Sequence, residues 1–282
     1  MELTSMIAQA AAAMDYDLVL TPETGDSRIE RLIHGRRVDG VIVLDVCRED
    51  DSVDRLRATR IPLVAMGRPA DSDAVSLVDI DYAHIARSCV QHLFERGHRE
   101  ILFMNKSQRV LRLGFGPARD ALGGFRKAVE QLGIQGWASC CDHTDQAGER
   151  WVAGALADRP GATGIVTINE GALPGIYRGL AAAGRSVPGD VSIVGAASAR
   201  WASAPSPQLT AADLPVERQA QEVVTMLVER LRDPAAPVRQ LVLAPSLVLR
   251  GSSGPAPARH TARPGREGRG GGTGSGTSLP AG

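Results

Sequence analysis

The sequence predicts an α/β fold of parallel sheets with helices packed on both faces. Two observations carry that reading. Short apolar runs rich in β-branched residues recur along almost the whole chain. Between them lie longer stretches whose apolar residues repeat every three to four positions. At 282 residues the chain is long enough for one large core or two small ones.

The chain opens on a helical pattern, with Leu3, Met6, Ile7, Ala10 and Met14 on one face. Strands are expected at DLVL (17–20), GVIVLD (40–45), PLVAMG (62–67) and AVSLVDID (74–81). Tyr82, Ile85, Ala86, Cys89, Val90, Leu93 and Phe94 then make an unbroken stripe of helical period, and Gly97 closes that helix. Later strands are expected at ILFMN (101–105), WASCC (137–141), GIVTIN (164–169), VSIVGA (191–196) and LVLAPSLVLR (241–250). ARDALGGFRKAVEQLG and GALPGIYRGLAAAG read as helices, each closed by a glycine. Val216, Ala220, Val223, Val224, Leu227, Val228 and Leu231 repeat the helical stripe after Pro215, a residue suited to a first turn. Residues 200–213 hold two prolines and no period, and read as a crossover or hinge. Residues 251–282 are Gly, Pro, Ser and Arg with almost no apolar side chains, and are expected to form a disordered tail.

Composition excludes several classes. Thirty-two basic residues balance 32 acidic ones, so the chain as a whole does not draw nucleic acid or an anionic membrane. No run approaches the ~18 apolar residues of a membrane span, and the N-terminus lacks a secretory pattern. The cytoplasm is the expected location. Cys47, Cys89, Cys140 and Cys141 have no CxxC spacing and read as small, buried residues in a reducing compartment. CCDH (140–143) hints at zinc, but adjacent strand residues point to opposite faces, so no metal is expected there. GFGP (114–117) lacks the spacing of a phosphate loop, and no nucleophile elbow is present. Neither a cofactor nor an enzymatic activity is expected.

In this order the elements resemble the effector-binding core of the LacI/GalR family of transcription regulators. CVQHLFERGHREILFM, LGGFRKAVEQLGI, GIVTINEGALPGIYRGLAAAGRSVPGDVSIVGA and PQLTAADLP followed by a long helix, then PSLVLRGSS, carry the resemblance from Met1 to about Gly251. It implies a periplasmic-binding-protein-like fold: two Rossmann-like subdomains with parallel sheets, joined by three crossovers, with a small effector in the cleft. One subdomain would comprise 1–81 and 208–238, the other 82–207 and 239–250. The crossovers would lie near Tyr82, near 205–210 and near 237–240. A homodimer is implied, in which the effector favours one orientation of the subdomains. Nothing resembles the family's helix-turn-helix, so operator DNA would be reached only through an element absent from this chain. The family's first strand is missing as well, because this sequence opens directly on the helix that follows it. In the order 2-1-3-4-5 that strand lies inside a sheet, where unpaired backbone is costly, so the protein is expected to start further upstream. A solute-binding protein of a transport system is the alternative reading. The lack of an export signal and the Gly97-His98 stretch speak against it.

Open α/β sheets bind ligands beyond the carboxyl ends of their strands. By the resemblance, the polar clamp positions fall on Phe115, Pro117, Ala121 and Ala197, which implies a cleft stripped of polarity and an effector more apolar than a sugar, or none. Four candidates remain. Asn169 matches a family asparagine and can both donate and accept, or else it caps the following helix. His143 falls where the family often stacks an aromatic ring on the effector, or is an exposed loop residue. Arg119 supplies a displaced guanidinium or is a solvated helix residue. Asp81 closes the strand before the first crossover and faces the cleft in the family, or caps the next helix.

Overall fold

The computed structural model describes residues 2–21, 31, 33–47 and 51–258. In chain order the elements are α1 (Glu2–Ala12), β1 (Val41–Val43), α2 (Ser52–Ala58), β2 (Leu63–Met66), β3 (Ser76–Ile80), α3 (Tyr82–Glu95) and β4 (Glu100–Asn105). There follow α4 (Gln108–Arg112), α5 (Gly116–Leu132), β5 (Gln135–Cys140), α6 (Asp145–Asp158) and β6 (Gly164–Thr167). A 3-10 turn (Glu170–Ala172) leads into α7 (Leu173–Ala182) and β7 (Ser192–Ala197). The chain ends through α8 (Ala199–Ser203), β8 (Thr210–Asp213), α9 (Val216–Arg232), β9 (Gln240–Leu243) and β10 (Leu247–Val248).

The strands form two sheets. One has four parallel strands in the order β1-β2-β3-β9, and the other six in the order β10-β8-β7-β6-β4-β5, of which only β10 is antiparallel. Parallel sheets need both faces covered, and the apolar stripes of the helices supply the cover. On one face of the six-stranded sheet α3 packs against α5. The backbones approach so closely that a Cβ on Gly124 would lie 2.3 Å from the Ala83 carbonyl oxygen. Below these helices Phe103 stacks on Phe125 with ring centroids 5.0 Å apart. On the other face α6 meets α7, where a Cβ on Gly175 would lie 1.9 Å from the Asp145 carbonyl oxygen. Only glycine leaves room at either crossing. Helices α1 and α9 cover the four-stranded sheet, burying Ile7, Ala220, Val223 and Val224.

Three expectations need correction. First, β8 belongs to the six-stranded sheet and β9 to the four-stranded one, so the chain crosses at 213–216 and 243–247 rather than near 205–210 and 237–240. The stretch LVLAPSLVLR, read as one strand, is two strands in different sheets. Pro245 interrupts it, since a proline has no N–H to give a ladder. Second, DLVL is not a strand, and Leu18, Val19 and Leu20 lie exposed. Third, residues 251–258 are fastened to the six-stranded sheet, while 259–282 lie outside the described residues. Buried Ser252 accepts from Thr210 N–H at 2.8 Å and donates to the Ile193 carbonyl, and Ala256 N–H donates to the Arg96 carbonyl at 2.8 Å. Hydrogen bonds hold this strap, so its apolar-poor composition misled.

Two buried histidines complete the strap. Arg96 donates to His92 Nδ1 at 3.1 Å, so Nε2–H of His92 faces Ser253 Oγ at 2.9 Å; His98 Nε2 lies 3.2 Å from the Gly254 carbonyl. Burial first, and Arg96 second, lower the His92 pKa to about 4, and burial also lowers that of His98. In the unfolded chain a histidine titrates near ~6.5. Between that value and about 4 the unfolded state therefore binds more protons than the folded one, and stability falls as pH falls. The urea midpoint should drop more steeply over this window in the natural chain than in His92→Gln. Parallel profiles would contradict the assignment.

Candidate functional site

The strands of both sheets direct their carboxyl ends to a common cleft, and the residue just past each strand is where a side chain leaves the ladder. From the four-stranded side come Asp45 beyond β1, Arg68 beyond β2 and the pair Asp81-Tyr82 beyond β3. From the six-stranded side come Lys106 beyond β4, His143 beyond β5, Asn169-Glu170 beyond β6 and Ser198 beyond β7. Two contacts tie the sides together. The Ser198 hydroxyl donates to Glu2 Oε2 at 3.0 Å, and Cys47 pairs with Phe115 in an isolated antiparallel bridge.

Lys106 and Glu170 dominate the electrostatics. Burial lowers the Lys106 pKa, against the opposing pull of Glu170 and Asp45. Burial raises the Glu170 pKa, against the Ser198 N–H that its carboxylate accepts and against the charges of Lys106 and His143. Among the described residues no direct ion pair joins the two. Each therefore feels the other's charge while both are partly desolvated, with no ion pair between them. Tyr82 is pushed up by burial and then by Glu170, Asp79 and Asp45, so its hydroxyl stays a donor. At the second crossing Asp213 Oδ2 takes Arg250 Nη2 at 2.6 Å, while its Oδ1 is buried with no partner.

The four candidates from the sequence fare differently. Asn169 is fully buried and makes no cap to the following turn. Its amide donates to the Cys141 carbonyl at 2.9 Å and to that of Asp142 at 3.4 Å. With both amide protons so placed, Oδ1 accepts from His143 Nδ1 at 2.6 Å, which assigns the proton to Nδ1 and leaves Nε2 as an acceptor. Asn169 is therefore a bracket that holds the loop after β5 and aims His143. The His143 ring lies over Gly171, where a Cβ would come 2.5 Å from its Cδ2. Asp81 caps α3, accepting from His84 N–H at 2.7 Å. Arg119 is exposed on α5.

The expectation of a cleft stripped of polarity is corrected. Ala121 and Ala197 are buried in the two apolar cores and Phe115 starts α5, while Lys106, Glu170, Tyr82, Asp45 and Ser198 supply charge and hydrogen bonding. A signal for these residues was present: each directly follows an apolar strand or its last turn, as Asp45 follows VIVL and Lys106 follows ILFMN. Among the described residues no group of His, Cys, Asp and Glu is placed to hold a metal, and no helix is long and apolar enough to cross a membrane.

Two parallel sheets whose strand ends face each other across a polar cleft define a two-lobed, ligand-binding protein of the periplasmic-binding-protein type. The description of the periplasmic binding protein-like domain matches residues 90–253. The chain belongs to that family and is the effector-binding core of a LacI-type transcription regulator. It is 29% identical over 254 residues to the HTH-type transcriptional regulator CelR of Thermobifida fusca, covering 87% of this chain and 73% of that one. It is 26% identical over 264 residues to the ribose operon repressor of Escherichia coli (strain K12), covering 89% and 77%. A structure of a CelR–cellobiose complex, 29% identical, superposes with a TM-score of 0.76 over 89% of this chain and 78% of that one. A LacI family regulator from Enterococcus faecium with bound ribose, 24% identical, shares the fold with a TM-score of 0.77 over 90% and 93%.

Proposed function

We propose that the cleft binds a small hydroxylated effector through Lys106, Glu170, Tyr82 and His143, with Asp81 and Asn169 as the positioning residues behind them. One observation carries this reading: polar residues stand at the carboxyl ends of strands of both sheets, where the two sides touch through Ser198 and Glu2 and through Cys47 and Phe115, and among them Lys106 and Glu170 are partly desolvated groups of opposite charge that act on each other. Each can form charge-assisted hydrogen bonds to a hydroxyl, and the His143 edge adds an acceptor and an apolar face. The relatives bound to cellobiose and ribose support a carbohydrate. Because residues of both lobes meet the ligand, binding favours one relative orientation of the lobes. In this reading the protein acts in the cytoplasm as a homodimer, works by binding rather than catalysis, and reaches operator DNA through a helix-turn-helix outside this chain.

Calorimetric titration with a panel of pentoses, hexoses and disaccharides tests the proposal. At least one member should bind, and Lys106→Met and Glu170→Gln should each weaken it about tenfold or more, the loss of a charge-assisted bond. Arg119→Ala should leave it unchanged. Binding that ignores both cleft variants would contradict the reading.

A further inference from the structure

The four-stranded lobe holds a cavity at the end of its sheet opposite the effector cleft. The cavity measures about 280 Å³ and lies where β2 and β3 begin, beside the last turn of α9. Three guanidiniums line it: Arg57 of α2, Arg60 of the turn into β2 and Arg230 of α9. Pro62, Val75 and Pro234 supply apolar wall between them. Among the described residues no acidic side chain lines it.

The positive charge is left largely unanswered within the chain. Among the described residues Arg60 makes neither a hydrogen bond nor an ion pair, and no carboxylate pairs with Arg230. Arg230 Nη1 donates to the Ala236 carbonyl at 3.2 Å, but its Nε is buried with no partner. Buried donors are normally paired, so one without an acceptor inside a basic cavity points to a partner from outside the chain. Arg57 is held in place by Asp54 at 3.1 Å and Asp71 at 3.0 Å, both through Nη1, and these two acids stand outside the cavity lining. Ser76 Oγ accepts from the Arg239 N–H at 3.1 Å, which leaves the hydroxyl proton to donate. Two features oppose an anion here, the carbonyl end of α9 and Asp233 in its cap. Arg230 and Arg232 offset the helix end, and Asp233 Oδ1 is taken by the Ala235 N–H at 2.9 Å.

We propose that this cavity binds a small phosphate monoester, its phosphate among Arg57, Arg60 and Arg230 and its short carbon chain against the proline walls. A phosphate monoester carries close to two negative charges at neutral pH and three acceptor oxygens. Guanidiniums present paired N–H donors in a planar fork that matches those oxygens. A single carboxylate would leave most of the positive charge unmatched. The volume lies at the small end for ligand pockets, which start near ~300 Å³, and suits an ester of a few carbons.

Titration calorimetry on the full chain at constant ionic strength tests the proposal. The probe is glycerol 3-phosphate, with inorganic phosphate, glycerol and a DNA duplex of arbitrary sequence as comparisons. Glycerol 3-phosphate should bind with a Kd below about 1 mM, more tightly than inorganic phosphate, and glycerol should not bind. Arg60→Gln and Arg230→Gln should each weaken it about tenfold or more, the loss of charge-assisted bonds. Arg230→Lys, which keeps the charge and loses the fork, should fall between. Urea midpoints show that the variants fold, and Arg60, an exposed residue, should leave the midpoint unmoved when replaced. Lys106→Met should bind glycerol 3-phosphate as the natural chain does, and sugar binding in the cleft should be the same in Arg60→Gln. No binding, affinity unchanged in both glutamine variants, or inorganic phosphate binding as tightly as the ester would overturn the proposal. So would loss in Lys106→Met, which would place the ester in the effector cleft, or binding of the duplex alone, which would assign the arginines to a nucleic-acid backbone.

Discussion

Gly124→Val should destabilise the protein by about 3 kcal/mol, the upper range for forcing atoms into a packed contact. The reason is local and steric. Helices α3 and α5 cross where the Gly124 Cα faces backbone, and a Cβ there would lie 2.3 Å from the Ala83 oxygen and 2.7 Å from its Cα. Backbone atoms on both sides cannot swing away as a flexible side chain would. The helices must separate, and the separation opens the layer that holds Phe125 against Phe103. Gly123→Val is the matched control, because a Cβ at Gly123 meets nothing within 4 Å. It should cost nothing, because valine is the better helix former of the two. Urea midpoints of the two variants check the contrast. Similar values would show that the interhelical approach does not govern stability here.

Asn169→Ala should produce the second large effect, in two readouts at once. It removes the donors to the Cys141 and Asp142 carbonyls and the acceptor for His143, at a fully buried position. Leaving buried groups unpaired costs about 1–3 kcal/mol for each. The urea midpoint should fall accordingly, and effector affinity should fall with it because His143 loses its aim. Asn169→Asp separates bracket from bulk. It keeps the shape and the acceptor for His143 Nδ1–H but turns the donors to Cys141 and Asp142 into repelling oxygens, so it should be as destabilising as the alanine variant. A stable Asn169→Asp protein with natural affinity would contradict the bracket.

The elements of the six-stranded lobe were legible because they are local. A run such as GIVTIN is bounded by turn residues and needs no knowledge of its neighbours, and the stripe from Tyr82 to Phe94 fixes its own helix. Sheet membership was not legible in the same way. Whether 210–213 and 240–243 join one sheet or the other is decided by which edges they meet, a non-local matter that neither the residues nor Pro245 alone reveal. The strap at 251–258 escaped because three serine hydroxyls and backbone groups hold it, and hydrophobic patterning does not register such bonds. In the cleft, attention to Ala121 and Ala197 led away from the site, since both side chains belong to the cores. Lys106 and Glu170 are single polar residues at the ends of apolar runs. The strand-end rule applied to every strand finds them without any knowledge of clamp positions.

The central claim is that one ligand touches the strand ends of both sheets. Amide hydrogen exchange with and without a saturating panel sugar, followed by mass spectrometry, addresses it most directly. The account predicts slower exchange in 105–107, 141–143 and 169–171 of one lobe together with 43–47 and 79–82 of the other, and a loss of that joint pattern in Lys106→Met. Protection confined to one lobe, or protection of 16–20 with none at 105–107, would contradict it.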